Sequence, residues 1–334
     1  MMENRKNLRT EESGTPAPSL PSSALRPPPS VLPPPPSTVG LPPYVLITPA
    51  RNEEAFLELT IQSVIGQTVR PVRWLIVSDG STDRTDEIVT HHGREHDWIE
   101  LFRMPERKSR DFGGKATCFN TGYARIKHLP HDVVACLDAD ITFDAGYFEF
   151  LLRKLAQESR LGIVGTPFME DGGTYDYRYS SIEHVSGACQ IFRRGCLDAI
   201  GGYTPVKGGG IDVIAVLGAR MNGWQTRTFT EISSQHHRAM GTADRRSRVV
   251  ANFKLGQRGY CLGFHPLWQV FRSAYQMTRR PYVVAGIALF LGYFWAMVRR
   301  VEKPMSRELV QFQRRDQMRR LRSFLRLRSK GQNT

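Results

Sequence analysis

Two aspartates stand one residue apart in "VVACLDADITF", where an apolar run from Val133 to Leu137 gives way to Asp138 and Asp140. Side chains two positions apart on a strand share a face, so this spacing predicts both carboxylates aimed at one point beyond a sheet. Like charges that close repel, and a cation between them removes the repulsion. An all-oxygen site of this kind suits Mg²⁺ or Mn²⁺, which take one or two carboxylates and leave places for phosphate oxygens. A bare pair of this sort is also what a solvated turn looks like. Its weight comes from company: Glu53 follows the run "YVLITPA", and Asp79 follows "RWLIVS" in a Ser-Asp-Gly-Ser turn. An acid held at a strand end can accept from a sugar hydroxyl or a base edge, although Asp-Gly is a plain turn former as well. The chain has neither GxGxxG nor GxxxxGK[ST], which disfavours dinucleotide redox chemistry and P-loop hydrolysis.

The elements that must hold these acids can be read from periodicity. "YVLIT", "RWLIVS", "IELFRM" and "VVACLD" are short apolar runs and predict strands. Between them, "EEAFLELTIQSVIGQ", "STDRTDEIVTHHG" and "GGKATCFNTGYARI" carry apolar residues at helical spacing. Strands alternating with helices, each strand nearly all apolar, imply an α/β fold with a parallel sheet covered on both faces. Ligands then bind at the carboxyl ends of the strands, where the acids stand. Further on, "FEFLLRKLAQ" predicts a helix, "LGIVGTPF" a strand and "SGACQIFRRGCLDAIGGY" a strand, a turn and a short helix. "GIDVIAVLGARMNGW" is helical and places Asp212 at its start, where an acid can simply cap the helix.

Both ends of the chain are of different material. Residues 1–43, rich in proline and serine, show no apolar period and predict a flexible, solvated tail without the features of a signal peptide. From Arg299 onward, 12 Lys and Arg face Glu302, Glu308 and Asp316, so much of the net charge of +14 lies there. The five cysteines form no CxxC, which suggests neither zinc site nor disulfide framework and suits a reducing cytoplasm. Tyr282 to Val298 carries no charge over 17 residues and is bracketed by arginine pairs. That length is the lower edge for a span, and an in-plane, re-entrant or buried core helix fits it too. The basic tail that follows, with Met318, Leu321, Phe324 and Leu325 at helical spacing, suits an anionic membrane surface. The organisation expected is therefore a tail over 1–43, a catalytic α/β domain over 44–240 and a helical extension over 241–334.

"VLITPARNEE", "LIVSDGSTD", "GGKATCFNTG", "CLDADITF", "SGACQIFRRGCLDAIGGY" and "GIDVIAVLGARMNGW" occur in an order and at spacings that resemble the family 2 glycosyltransferases of the GT-A fold. The resemblance runs from about residue 44 to 240. It implies a Rossmann-like, mostly parallel sheet, and inverting transfer of a sugar from a nucleotide donor with Mg²⁺ or Mn²⁺. It also implies roles. Pro49, Arg51, Glu53, Val77 and Asp79 would line the nucleoside pocket, with Lys115 near the nucleotide. Asp138 would touch ribose or metal, Asp140 would ligate the metal, and Asp212 would be the catalytic base. The family usually has Glu-Asp where this chain has Ile211-Asp212, which unsettles acceptor geometry but keeps the base. "SSQHHRAMG" matches a Gln-x-x-Arg-Trp motif at Gln235 and Arg238, with Ala239 in place of Trp. That motif accompanies processive synthases, so its erosion favours single-sugar transfer. His237, or its neighbour His236, would complete the metal site, and Arg238 could instead pair with a donor phosphate.

The expectation is a membrane-associated glycosyltransferase of the cytoplasmic face, with a nucleotide-sugar donor and a glycan or lipid-linked acceptor. Its specificity would lie in loops such as residues 169–185. A nucleotidyltransferase would not need a base at Asp212. A non-catalytic basic protein, on nucleic acid or a membrane surface, is the alternative that the sequence pI of 9.9 suggests. Nucleic acid is disfavoured, because the positive charge is concentrated outside the folded part and is not interleaved there with aromatics.

Overall fold

The computed structural model describes residues 40–106, 113–170, 181–206, 208–238, 245–280 and 282–330. The expected N-terminal tail lies outside the described residues except for its last four positions, as does 171–180 of the 169–185 loop. In chain order the elements are β1 (Tyr44–Ala50), α1 (Leu57–Ile65), β2 (Arg73–Ser78), α2 (Thr85–Glu95), β3 (Ile99–Arg103), α3 (Gly113–Ile126) and β4 (Val133–Leu137). They continue as β5 (Ile141–Thr142), α4 (Tyr147–Gln157), β6 (Leu161–Gly165), β7 (Phe168–Met169), β8 (Cys189–Arg193), α5 (Arg194–Ile200), α6 (Ile211–Met221), β9 (Gln225–Thr228) and β10 (Ser234–His236). Four helices follow: α7 (Arg245–Cys261), α8 (Pro266–Met277), α9 (Val284–Val298) and α10 (Arg307–Lys330).

The main sheet runs β3-β2-β1-β4-β8-β6-β9. Its first four strands are parallel, β8 is antiparallel to both β4 and β6, and β9 is parallel to β6. Strand alternation separates two cores. Leu46, Trp74, Ile76 and Ala135 face Leu57, Ile61 and Val64 of α1 and Leu151 and Leu155 of α4. Ile47, Leu75, Val77 and Cys136 face Ala116 and Phe119 of α3, Leu197 of α5 and Ile214 of α6. Gly122 lets α3 close on the sheet, since a Cβ there would meet Val77 Cγ2 at 2.8 Å. Strand β1 passes through Pro49 to Ala50, two residues past the run "YVLIT". Its pairing with β4 ends at Ile47, so the missing N–H at Pro49 breaks no ladder bond on that side.

A second sheet, β5-β10-β7, forms just past the end of β4. Its strands are two or three residues long, too short to carry a readable period.

The apolar run forms α9, a 15-residue helix of about 22 Å, against a hydrocarbon core of about 30 Å. Among the described residues no helix is long and apolar enough to cross a membrane, so the spanning reading is corrected. Ala285, Ala288, Leu289, Gly292, Tyr293 and Ala296 are buried, on the side packed against α7 and α8. A Cβ on Gly256 of α7 would lie 2.2 Å from Leu289 O, and one on Gly292 would lie 2.0 Å from Phe253 O. Small residues thus let the two backbones touch. The opposite stripe, Val284, Ile287, Leu291, Trp295 and Val298, is exposed. Helix α10 returns to α6, where Asp316 accepts from Arg220 at 2.9 and 3.1 Å.

Candidate active site

The turns after β1 and β2 are stitched together by side chains. Asn52, in the left-handed region at φ 55°, donates through its N–H to Ser81 Oγ (3.2 Å) and accepts from Thr82 N–H (2.9 Å). Glu53 N–H donates to Thr85 Oγ1 at 2.8 Å. Asp79 is buried, its N–H donating to Ala50 O at 2.8 Å, and Arg51 Nη1 stands 3.5 Å from Asp79 Oδ2. Pro49 is opposite Val77 in register. Val77 itself is fully buried beneath α3 and presents no side chain to the cleft. Pro49, Arg51, Glu53 and Asp79 do gather at this edge.

Beyond Leu137 the chain leaves the strand, so strand alternation does not govern the two aspartates. They sit in a turn and engage different cations. Asp138 donates its N–H to Ala188 O (2.9 Å) and pairs with Lys115, whose Nζ also donates to Gly187 O at 2.6 Å. Asp140 has Arg238 Nε at 3.2 Å and His236 Nε2 at 3.5 Å. Arg238 pairs with Glu53 as well, tying the acid after β1 to the acid after β4. Burial would raise the Asp140 carboxyl, but the hydrogen bond from His236 and the charges of His236, Arg238 and Lys115 hold it below the usual range. That bond to Asp140 raises His236 against its own burial. Burial works against the charge on Lys115, yet Asp138 above all, with Asp212 adding, holds it above its ordinary value.

Of the two histidines, it is His236 that faces Asp140. His237 braces the turn with its backbone, N–H to Asp140 O at 3.0 Å, while its ring bonds Thr142 Oγ1 at 2.8 Å and stacks on Phe56. The register of β10 on β5, His236 opposite Ile141, decides this.

Asp212 lies in the first turn of α6, after Gly210 in the left-handed region at φ 95°, and no side chain caps that helix. The plain capping role is therefore not what Asp212 does. It closes on Gly187, where a Cβ would lie 3.3 Å from Asp212 Cβ and 3.5 Å from Lys115 Nζ. Gly187 is thus the narrow point between Lys115, which holds Asp138, and Asp212. His184 Nε2 stands 3.9 Å from Asp212 Oδ2, and Glu170 Oε2 3.9 Å from His236 Nδ1. Sequence reasoning missed Gly187, His184 and Glu170, which sit in irregular chain without a pattern to mark them.

As a donor set, Asp138, Asp140 and His236 are rich in oxygen with one imidazole, which fits a divalent ion such as Mg²⁺ or Mn²⁺. Nε2 of His236 faces Asp140 at 3.5 Å, which puts the imidazole and this carboxylate side by side, while Nδ1 turns toward Glu170 at 3.9 Å.

Comparison with known proteins bears on the family and the fold. Glycosyl transferase family 2 matches residues 45–208. Poly-beta-1,6-N-acetyl-D-glucosamine synthase of Staphylococcus aureus (strain COL) is 26% identical over 222 residues, 65% of this chain and 46% of the relative. The synthase of the same name from Staphylococcus epidermidis is 28% identical over 136 residues, 40% of this chain and 31% of the relative. The chain thus spans less than half the length of these curated relatives. Among solved structures, the mannosyltransferase PcManGT from Pyrobaculum calidifontis, in complex with GDP-Man and Mn²⁺, superposes with a TM-score of 0.52 at 18% identity, covering 82% of this chain and 79% of that one. The fold is GT-A-like, and residues 45–208 form a Glycosyl transferase family 2 domain.

Proposed function

We propose that the chain is an inverting glycosyltransferase that moves one sugar from a nucleoside diphosphate sugar to a hydroxyl of a polysaccharide or lipid-linked precursor. The observation that carries this reading is the junction at Gly187, where Asp212 meets the Lys115–Asp138 pair across a single glycine. It gathers a carboxylate fit to take a proton, a cation fit for a diphosphate and one of the paired acids.

In this reading Pro49, Arg51 and Asp79 hold the nucleoside, and Lys115 and Arg238 face the diphosphate oxygens. Asp138, Asp140 and His236 would hold Mg²⁺ or Mn²⁺, which would stabilise charge on a leaving diphosphate. The acceptor hydroxyl oxygen forms a bond to the anomeric carbon on the face opposite the nucleotide. The bond from that carbon to the diphosphate oxygen breaks, its electron pair leaving with the nucleotide. Asp212 takes the hydroxyl proton. A polysaccharide or its precursor as acceptor is supported by the poly-N-acetylglucosamine synthases among the relatives. Single transfer is supported by Ala239 standing where processive enzymes carry Trp.

A membrane location on the cytoplasmic face belongs to the same proposal. The exposed apolar stripe of α9 is flanked by exposed Arg279 and Arg280 at one end and Arg299 and Arg300 at the other. An apolar face with basic ends suits an anionic surface, lying in its plane.

The test is nucleotide release from a panel of nucleotide sugars with Mn²⁺, comparing wild type with Asp140→Ala. Wild type is expected to turn over one donor class and the variant to lose that activity. Equal release by both would remove the metal and donor assignment.

A further inference from the structure

A second cluster of metal-ligating side chains lies at the far end of α2. His92, Glu95 and His96 each offer a ligand atom, and these atoms lie within 4.8 Å of one another. Residues three and four apart on a helix share a face, and at His96 the chain turns extended (φ −131°). Helix α2 starts at Thr85, bonded to Glu53 of the catalytic cleft, and runs 11 residues away from it, about 16 Å. The cluster is thus separate from the acids at the sheet rim.

His92 supplies an independent observation. Its side chain is only 4% exposed, and both oxygens of Glu58, on α1, approach its Nε2 at 2.9 and 3.0 Å. A carboxylate can only accept, so Nε2 carries the hydrogen and the neutral ring has its lone pair at Nδ1. That Nδ1 is buried without a hydrogen-bond partner. Such orphans are rare and costly inside proteins. A carboxylate that fixes one ring nitrogen while the other is left bare is the arrangement that supports a metal-bound histidine.

We propose that His92 Nδ1, Glu95 and His96 form a transition-metal site, of the kind Zn²⁺ takes with two imidazoles, one carboxylate and a solvent molecule. Glu95 is exposed and His96 half-buried, so the set opens to solvent on that side. Glu58 ties the site to α1, so the metal clamps α2 against α1. The exposed His91, with Nε2 3.7 Å from Glu95 Oε1, steers the carboxylate.

The probe is zinc alone, titrated calorimetrically into the chelator-treated full chain, with cobalt absorption as a second readout. To keep the catalytic acids out of the count, Asp140→Ala is the background. One tight equivalent is expected to remain in that background and to weaken at least tenfold on adding His96→Ala or Glu95→Gln, both solvent-facing changes. Glu58→Gln is expected to weaken it about 10- to 100-fold by loosening the histidine. Zinc should raise the melting temperature of the background but not of the His96→Ala variant. A tight equivalent that survives both ligand substitutions, or that is absent from the Asp140→Ala protein, would overturn the site.

Discussion

Replacing Asp212 by Asn isolates the proton acceptor from everything else that residue does. The amide keeps the shape that packs on Gly187, where an added Cβ would lie 3.3 Å from Asp212 Cβ, so folding should be unaffected. Donor binding should also persist, since the nucleoside end of the cleft is built on β1 and β2 and not on α6. What goes is the carboxylate. A positioned base contributes about 10²- to 10⁴-fold, or about 3–5 kcal/mol at 1.36 kcal/mol per decade. The lower half of that range is expected, because His184 Nε2 lies 3.9 Å from Asp212 Oδ2 and offers a second acceptor nearby. Transfer should therefore fall about 10²- to 10³-fold, and His184→Ala added to Asp212→Asn should deepen the loss. The assay is product formation at saturating donor, beside donor affinity and melting temperature. Transfer within threefold of wild type, with donor affinity kept, would refute Asp212 as the base.

Two further outcomes follow from the C-terminal helices. Asp316→Asn removes the charge that Arg220, Arg319 and Arg320 share, and breaking a buried pair costs about 3–5 kcal/mol. Glu183, 3.2 Å from Arg220, softens this toward about 3 kcal/mol, measurable by denaturant unfolding. Burial opposes the Asp316 charge but Arg220 and Arg320 hold its carboxyl below the usual range. Its stabilisation is then complete above the unfolded pKa, about 3.9, and is lost as pH falls through the lower folded value. The wild-type advantage should be flat near neutrality and shrink only below about pH 4; a flat difference throughout would mean the charge is not responsible. Ile287→Glu with Leu291→Glu, both outward on α9, should leave the melting temperature unchanged and abolish flotation with anionic vesicles. Flotation equal to wild type would remove that face as the membrane contact.

The sheet was legible because its strands are continuous apolar runs, and a run such as Val133–Leu137 has few other uses. Strand β9 was not, since "QTRT" buries only Thr226 and Thr228 and reads as loop. Helix α9 shows the opposite failure. Its uncharged stretch is apolar all round, so hydropathy alone cannot separate a helix in lipid from one against protein. The deciding signal was residue size: Ala285, Ala288, Gly292 and Ala296 recur at helical spacing on the buried side, and small residues in register mark a face that meets another backbone.

The site divides along a similar line. Glu53, Asp79, Asp138 and Asp140 could be found because each lies within three residues past a strand end, and in a parallel sheet strand ends converge. Which histidine joins them could not. His236 closes β10 and His237 lies just past it, so the choice between them is a choice of register. That register is set by β5, two residues nearly a hundred positions upstream, which has no sequence signature of its own. The same holds for Gly187, whose significance is the lack of a side chain between Lys115 and Asp212. Sequence marks where charged groups are anchored; only the packing of distant segments marks where they meet, and in this cleft the meeting points rest on a two-residue strand and a glycine.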